Sequence, residues 1–90
     1  MLPLVEYLRR GYAVLQDPRN WTRGAYARDD QGREVDVARV EAARTHCVYG
    51  APIAALVADA AGVYGADAAW PELDTMERRI VWAIDRSAMR

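Results

Sequence analysis

The chain has 90 residues, and 13 acidic residues oppose 12 arginines, without any lysine, for a net charge of −1 at pH 7. A single cysteine excludes an internal disulfide, and that cysteine with a single histidine cannot complete a structural zinc site. The near-neutral charge argues against a strongly nucleic-acid-binding chain, whose isoelectric point is usually above about 9, and against an acidic DNA mimic.

The length predicts one small domain over residues 1–90. Such a short chain buries a small fraction of its surface, so without a disulfide or a metal we expect tight packing or self-association, and we favour a homodimer. The N-terminal stretch carries Glu6 and no leading basic run, which is not typical of a secretory signal. We therefore expect a cytoplasmic location, which also suits a lone thiol.

An amphipathic helix is predicted over residues 3–16, because Leu4, Leu8, Tyr12 and Leu15 recur at helical spacing. Asp17-Pro18 ends it, since the residue before a proline is pushed away from helical geometry.

A β-hairpin is predicted over residues 21–35, although its apolar alternation is weak. Asp29-Asp30-Gln31-Gly32 has the residues of a tight turn, and Arg33-Glu34-Val35 is the expected return strand. Two strands alone are marginally stable in water, so the hairpin must lie on helices or pair with another chain.

A second helix is predicted from Val37 onward, with Asp36 as its N-cap. Gly50 and Pro52 interrupt it, and we expect a kink or a junction of two helices between Tyr49 and Ile53. Residues 47–58 are uncharged and apolar on all sides, which indicates burial, and they are too few for a membrane span of ~20 residues. One face of this helix carries mostly small residues: Val40, Ala43, Cys47, Ala51, Ala54, Ala58 and Ala61.

A break is predicted over residues 62–65, and a last helix headed by Asp74. Met76, Ile80 and Ile84 form its apolar face, and Trp82 lies on its flank. These elements predict an α+β fold: three to four helices, helix-dominated, with one small β-hairpin packed on them.

His46-Cys47 is the only pair that resembles catalytic chemistry. A nucleophilic cysteine needs a base within hydrogen-bond reach, whereas neighbours on a helix point about 100° apart. We therefore expect a core cysteine beside a surface histidine, no cofactor, no metal site and no enzymatic activity.

The middle of the chain carries the pattern W-x-x-G-x-x-A-R-D-x-x-G from Trp21 to Gly32, then C-x-x-G-A from Cys47 to Ala51. Over about residues 4–58 the chain resembles a family of short, uncharacterised bacterial proteins, common in actinobacteria and their phages and catalogued as a domain of unknown function. The resemblance implies a hairpin packed on helices and a bacterial or phage origin, and it implies no activity. Members often carry Trp-Asn-Asp near the C-terminus, whereas here Trp82 is followed by Ala83-Ile84-Asp85.

Three functions are weighed. The favoured one is a small non-enzymatic module that binds another protein and forms a homodimer, for example a phage or mobile-element protein that inhibits a host or defence factor. Interfaces are enriched in Trp, Tyr, Met and Arg and poor in Lys, and the composition of this chain leans that way. The second is a nucleic-acid-binding regulator that uses Arg9, Arg10, Arg78 and Arg79, and the third is a cysteine enzyme that uses Cys47. The residues expected at the interaction surface are Tyr49, Ile53, Leu56, Trp70, Trp82, Arg78 and Arg79.

Overall fold

Three helices and two short strands make up the fold in the computed structural model, which describes residues 1–37, 39, 41–64 and 73–88. The strands pair antiparallel, with Ala27 opposite His46. The predicted α+β class, helix-dominated with one small strand pair packed on helices, is confirmed. In chain order the elements are α1 (Leu4–Val14), a 3₁₀ turn (Pro18–Asn20), β1 (Ala27–Arg28), β2 (Thr45–His46), α2 (Gly50–Tyr64) and α3 (Leu73–Ala88).

Helix α1 packs on α2 through Tyr7 and Gly11, both of which are buried. The Tyr7 hydroxyl donates to Asp59 Oδ2 at 2.6 Å and accepts from the Leu2 N–H at 2.8 Å, which joins the start of the chain to α2. Tyr12, expected on the buried face, is 69% exposed. The expectation fails because the centre of the buried face includes Gly11, a residue that carries no apolar side chain.

The small sheet is extended by one backbone segment on each side. The Thr22 N–H donates to the His46 carbonyl at 3.0 Å, and the Val35 N–H donates to the Ala27 carbonyl at 3.1 Å. The order across the sheet is therefore residues 21–22, β2, β1 and residues 34–35. The expected return strand of the hairpin makes only a single bridge, from Arg28 to Glu34, and β2 supplies the main partner of β1 instead.

The predicted turn at residues 29–32 is confirmed. Asp29 Oδ1 accepts from the backbone N–H groups of Gln31 and Arg33, both at 2.9 Å. Gly32 has φ 77°, in the left-handed region that favours glycine.

The structure has no helix among the described residues from Val37 to Tyr49, so the predicted helix is wrong over that stretch. Residues 45 and 46 are a strand, because the Arg44 N–H donates to the Arg28 carbonyl and the Cys47 N–H donates to the Tyr26 carbonyl. Pairing with β1 therefore overrides a helical pattern that rests on alanine and valine spacing.

Helix α2 begins at Gly50, so the expected kink does not form. Pro52 lies in the first turn, where a missing N–H leaves no intrahelical bond unmade. Gly62, expected to open a break, lies inside α2, whereas Gly65, the other end of that break, is outside the described residues.

The core lies between the helices and the inner face of the sheet. Its fully buried large side chains are Tyr7, Ile53, Leu56 and Ile80. Helix α3 begins one residue before Asp74, and its predicted apolar face is confirmed: Met76 and Ile80 are buried and Ile84 packs at the edge.

Candidate functional site

An open groove of about 1360 Å³ lies beside the small sheet. Both outer segments of the sheet contribute residues to its lining. The lining consists of residues 21–26, 34–37 and 46–49, together with Leu15.

Three large hydrophobic side chains of this lining are exposed to solvent: Trp21 at 55%, Tyr26 at 46% and Val48 at 50%. The Trp21 side chain is held in place, because its indole Nε1–H donates to the Leu15 carbonyl at 2.6 Å. The Tyr26 ring lies 6.1 Å from the Tyr49 ring, in a tilted contact. The groove therefore presents aromatic surface held in fixed positions.

Arg28 shapes the loop that carries Trp21 and Tyr26. Its guanidinium donates to Thr22 Oγ1 at 2.9 Å, to the Gly32 carbonyl at 3.1 Å and to the Arg23 carbonyl at 3.0 Å. Gly24, at φ 78°, makes the bend inside this loop. Arg28 therefore stabilises the groove wall, and its guanidinium donates hydrogen bonds to backbone and hydroxyl oxygens.

The floor of the groove meets the start of α2 at Gly50. The Gly50 N–H donates to Cys47 Sγ at 3.3 Å, so the thiol takes the position of an N-cap side chain. A Cβ on Gly50 would lie 1.8 Å from the Tyr26 carbonyl oxygen, so only glycine allows this contact. Sequence and packing together fix the beginning of α2 against the loop.

The expectation of a core cysteine beside a surface histidine is wrong. Cys47 is half-buried and lines the groove, while Nδ1 of His46 is buried without a hydrogen-bond partner among the described residues. Burial lowers the pKa of His46, since desolvation disfavours its charged form. Among the described contacts no hydrogen bond joins the thiol to the imidazole.

The groove carries charge of both signs at its two sides. Arg23 follows the outer segment at residues 21–22, and Glu34 lies on the opposite outer segment. Both are exposed, and no ion pair involves either of them in the described part of the chain.

The residues expected at an interaction surface are not gathered in one place. Tyr49 is at the end of the groove, where its hydroxyl donates to Asp85 of α3, and that hydrogen bond raises the pKa of Tyr49. Ile53 and Leu56 are 2% and 0% exposed in the core, so the folded chain offers no access to them. Trp70 lies outside the described residues.

The remaining expected residues lie on α3, away from the groove lining. Trp82 is 61% exposed, with the Arg86 guanidinium carbon 5.0 Å from its ring centre. Arg78 forms an ion pair of 3.0 Å with Asp74, and Arg79 is exposed.

The sequence did not indicate Trp21, Tyr26 or Val48 as surface residues. Trp21 and Tyr26 lie in the predicted hairpin and Val48 lies in the helix predicted from Val37. Large apolar residues in such elements are ordinarily taken as core, and nothing local shows which of them remain uncovered. The available signal is Gly24, because a glycine between two aromatic residues marks a bend that can turn both outward.

No group of three or more potential ligands among the described residues could hold a metal ion. None of the described helices combines the length and the apolar character that a membrane crossing requires.

The fold and the groove define a small α+β domain whose described residues form an open, aromatic-lined concave surface. The chain belongs to DUF6197, a family of unknown function whose family model matches residues 1–89. The expected membership of a family of unknown function is thereby confirmed. A search of curated proteins and a search of solved structures each gave no match.

Proposed function

We propose that this protein is a small non-enzymatic module that binds another protein through the groove. The observation that carries the proposal is the presence of three exposed large side chains, Trp21, Tyr26 and Val48, on one concave surface. Contiguous exposed apolar patches are uncommon on monomeric proteins and mark interaction sites. A rigid tryptophan and tyrosine are the residues that most often dominate binding energy at interfaces.

A protein partner fits the groove better than a nucleic acid fits the arginine faces. Arg9 and Arg10 both lie within 3.7 Å of Glu6, and Arg78 pairs with Asp74. Of the four arginines in the alternative hypothesis, only Arg79 is without an ion pair in the described residues. Phosphate contact would have to displace these carboxylates, so we rank a nucleic-acid regulator second.

The cysteine-enzyme hypothesis ranks third. Cys47 Sγ already accepts a hydrogen bond from the start of α2, and the neighbouring imidazole is not bonded to it. The thiol therefore has a structural role that accounts for its position.

We further propose that the W-x-x-G-x-x-A-R-D-x-x-G and C-x-x-G-A pattern specifies the groove. Arg28 and Gly24 shape the loop, Asp29 and Gly32 close the turn, and Cys47 starts the helix against it. The hydrogen bonds that support this proposal join Arg28 to Thr22, Arg23 and Gly32, Asp29 to Gln31 and Arg33, and Gly50 to Cys47.

A concrete version of the proposed function is a cytoplasmic bacterial or phage protein that inhibits a host or defence factor.

The experiment replaces Val48 with a photo-crosslinking amino acid in the full chain expressed in bacteria. We expect a discrete crosslinked species that disappears when Tyr26→Arg is added, because the substitution places a charge in the apolar centre of the surface. The matched control carries the crosslinker at Tyr12, which is 69% exposed on α1 and outside the groove. Equal products from the two positions, or no discrete product from Val48, would refute the proposal.

A further inference from the structure

We infer that α3 carries a second interaction surface, which binds an acidic segment of a protein partner. This surface, the outer face of α3, is formed by Arg78, Arg79, Trp82 and Arg86, all of them exposed. None of the four is among the residues that line the groove, so the inference goes beyond the proposed function and does not depend on it. It follows from the position of Trp82, the arginines around it and the partners of the neighbouring acids.

Trp82 lies on the side of α3 opposite the core. The helix packs on the core through Met76 and Ile80, which are both buried. At 3.6 residues per turn Trp82 lies about 160° around the helix from Ile80, and its side chain is 61% exposed. Core packing therefore does not account for a tryptophan at this position. Tryptophan and arginine are the residues most enriched at binding hot spots, which favours a contact with another molecule.

Three arginines surround the Trp82 indole. Arg78 precedes it by four residues, Arg79 precedes it by three and Arg86 follows it by four, and side chains at these spacings are neighbours on a helix. The Arg86 guanidinium carbon is 5.0 Å from the centre of the indole ring, in a cation–π contact. This contact restrains both side chains before binding, which reduces the ordering cost of association.

The acids that border this face already have partners. Asp74 pairs with Arg78 at 3.0 Å, and Asp85 accepts a hydrogen bond from a tyrosine hydroxyl. Arg79 and Arg86 make no ion pair in the part of the chain that the structure describes. Two guanidinium groups without acid partners therefore lie beside an exposed aromatic ring.

The complement of this surface is a segment that carries carboxylates and an apolar side chain. A guanidinium binds a carboxylate through two parallel hydrogen bonds, and the indole offers a flat area on which an apolar side chain of the partner can pack.

A single strand of nucleic acid is the competing occupant, since bases stack on tryptophan and phosphates bind arginine. A strand carries a charge at every nucleotide and is opposed by the net charge of −1 of this chain. A short acidic segment needs to place carboxylates only at the two guanidinium groups without acid partners, so we favour a protein.

The experiment measures the binding of a short fluorescein-labelled peptide of glutamate and leucine to the full chain by fluorescence anisotropy. We expect affinity that falls as salt is added, because salt screens exposed charges. Trp82→Ala should weaken binding about tenfold, as loss of a hot-spot residue does. Arg79→Glu and Arg86→Glu should each weaken it about threefold or more, since each replaces an attraction by a repulsion.

Arg9→Glu is the matched control for the two charge reversals. Arg9 is an exposed arginine of α1, so its reversal changes the net charge equally without touching the outer face of α3. This variant should bind the peptide almost as tightly as the unmodified chain. A peptide with glutamine in place of glutamate should not bind, and circular dichroism verifies that each variant is folded.

An acidic peptide that fails to bind even in dilute buffer overturns the inference. So does a loss of affinity in Arg9→Glu as large as in the α3 variants, because the attraction would then depend on net charge alone. Tighter binding of a labelled oligothymidylate than of the acidic peptide would replace the protein partner with a nucleic acid. The crosslinking at Val48 tests the groove separately, because Val48 is not part of the outer face of α3.

Discussion

Gly50 lies so close to the backbone of Tyr26 that its missing side chain is a condition of the fold. In Gly50→Ala the new Cβ would be 1.8 Å from a carbonyl oxygen, and the backbone cannot move aside as a flexible side chain can. We expect a loss of about 3 kcal/mol in the free energy of unfolding, at the upper end of overpacking effects. Urea denaturation measures it.

Gly62→Ala is the matched control for that substitution. Gly62 is in the same helix, and a Cβ added there would have no described atom within 4 Å. We expect a gain of about 0.5–1 kcal/mol, because alanine is the better helix former. A similar loss for both variants would show that the contact with Tyr26 is unimportant.

His46 predicts a pH dependence of stability. Its pKa in the folded chain lies below the ordinary 6.5 because of burial, so the unfolded chain binds the proton more tightly. The stabilisation by neutral His46 is complete above 6.5 and is lost as the pH falls through the folded pKa. We expect the free energy of unfolding to fall as the pH drops below about 6.5.

His46→Gln should remove most of that slope, since the chain has one histidine. An NMR titration of the imidazole Cε1–H measures the folded pKa directly. A value at or above the ordinary one would contradict the burial of Nδ1.

At the scale of elements, the contact between α1 and α2 depends on Gly11. A Cβ there would be 2.6 Å from both Cδ and N of Pro52. Alanine gains about 1 kcal/mol in helix preference, while overpacking costs about 1–3 kcal/mol. We therefore expect Gly11→Ala to be net destabilising by about 1 kcal/mol.

Pro52→Ala in the same chain should recover part of the loss, because it removes the ring that the new Cβ contacts. The four chains form a double-mutant cycle, and thermal or urea unfolding gives the coupling energy. If the effects of the two substitutions on the free energy of unfolding were strictly additive, Gly11 and Pro52 would not be energetically coupled.

The elements that sequence reasoning located are those whose cause is local. Helix α3 follows from the spacing of Met76, Ile80 and Ile84, and the turn at residues 29–32 follows from its own residue types. Strand β2 escaped prediction because its cause is distant: Thr45 and His46 become a strand only by pairing with Arg28 and Ala27. An alanine-rich stretch gives no local sign of such a pairing.

For the whole molecule, self-association predicts a stability that depends on concentration. The homodimer expected for so short a chain would be stabilised by mass action, so the midpoint of thermal unfolding should rise with protein concentration. A midpoint that is constant over the whole range would contradict dimerisation.

The candidate site was the least predictable part of the molecule. Composition and patterning led us to expect an apolar interaction surface, but they indicated Ile53 and Leu56, which are buried in the core, and not Trp21, Tyr26 and Val48. Hydrophobic character is visible in a sequence, whereas exposure depends on how many neighbours the fold places over each side chain.

The small sheet also has a consequence for the time course of folding. Trp21 and His46 are joined by a bridge across a long loop, and Tyr26, whose backbone contacts Gly50, lies inside that loop. Closing a long loop costs chain entropy, and contacts between residues far apart in sequence slow the folding of small domains. We expect substitutions at the sheet, such as Thr22→Ala, to retard refolding in stopped-flow experiments, whereas substitutions on α3 should mainly accelerate unfolding.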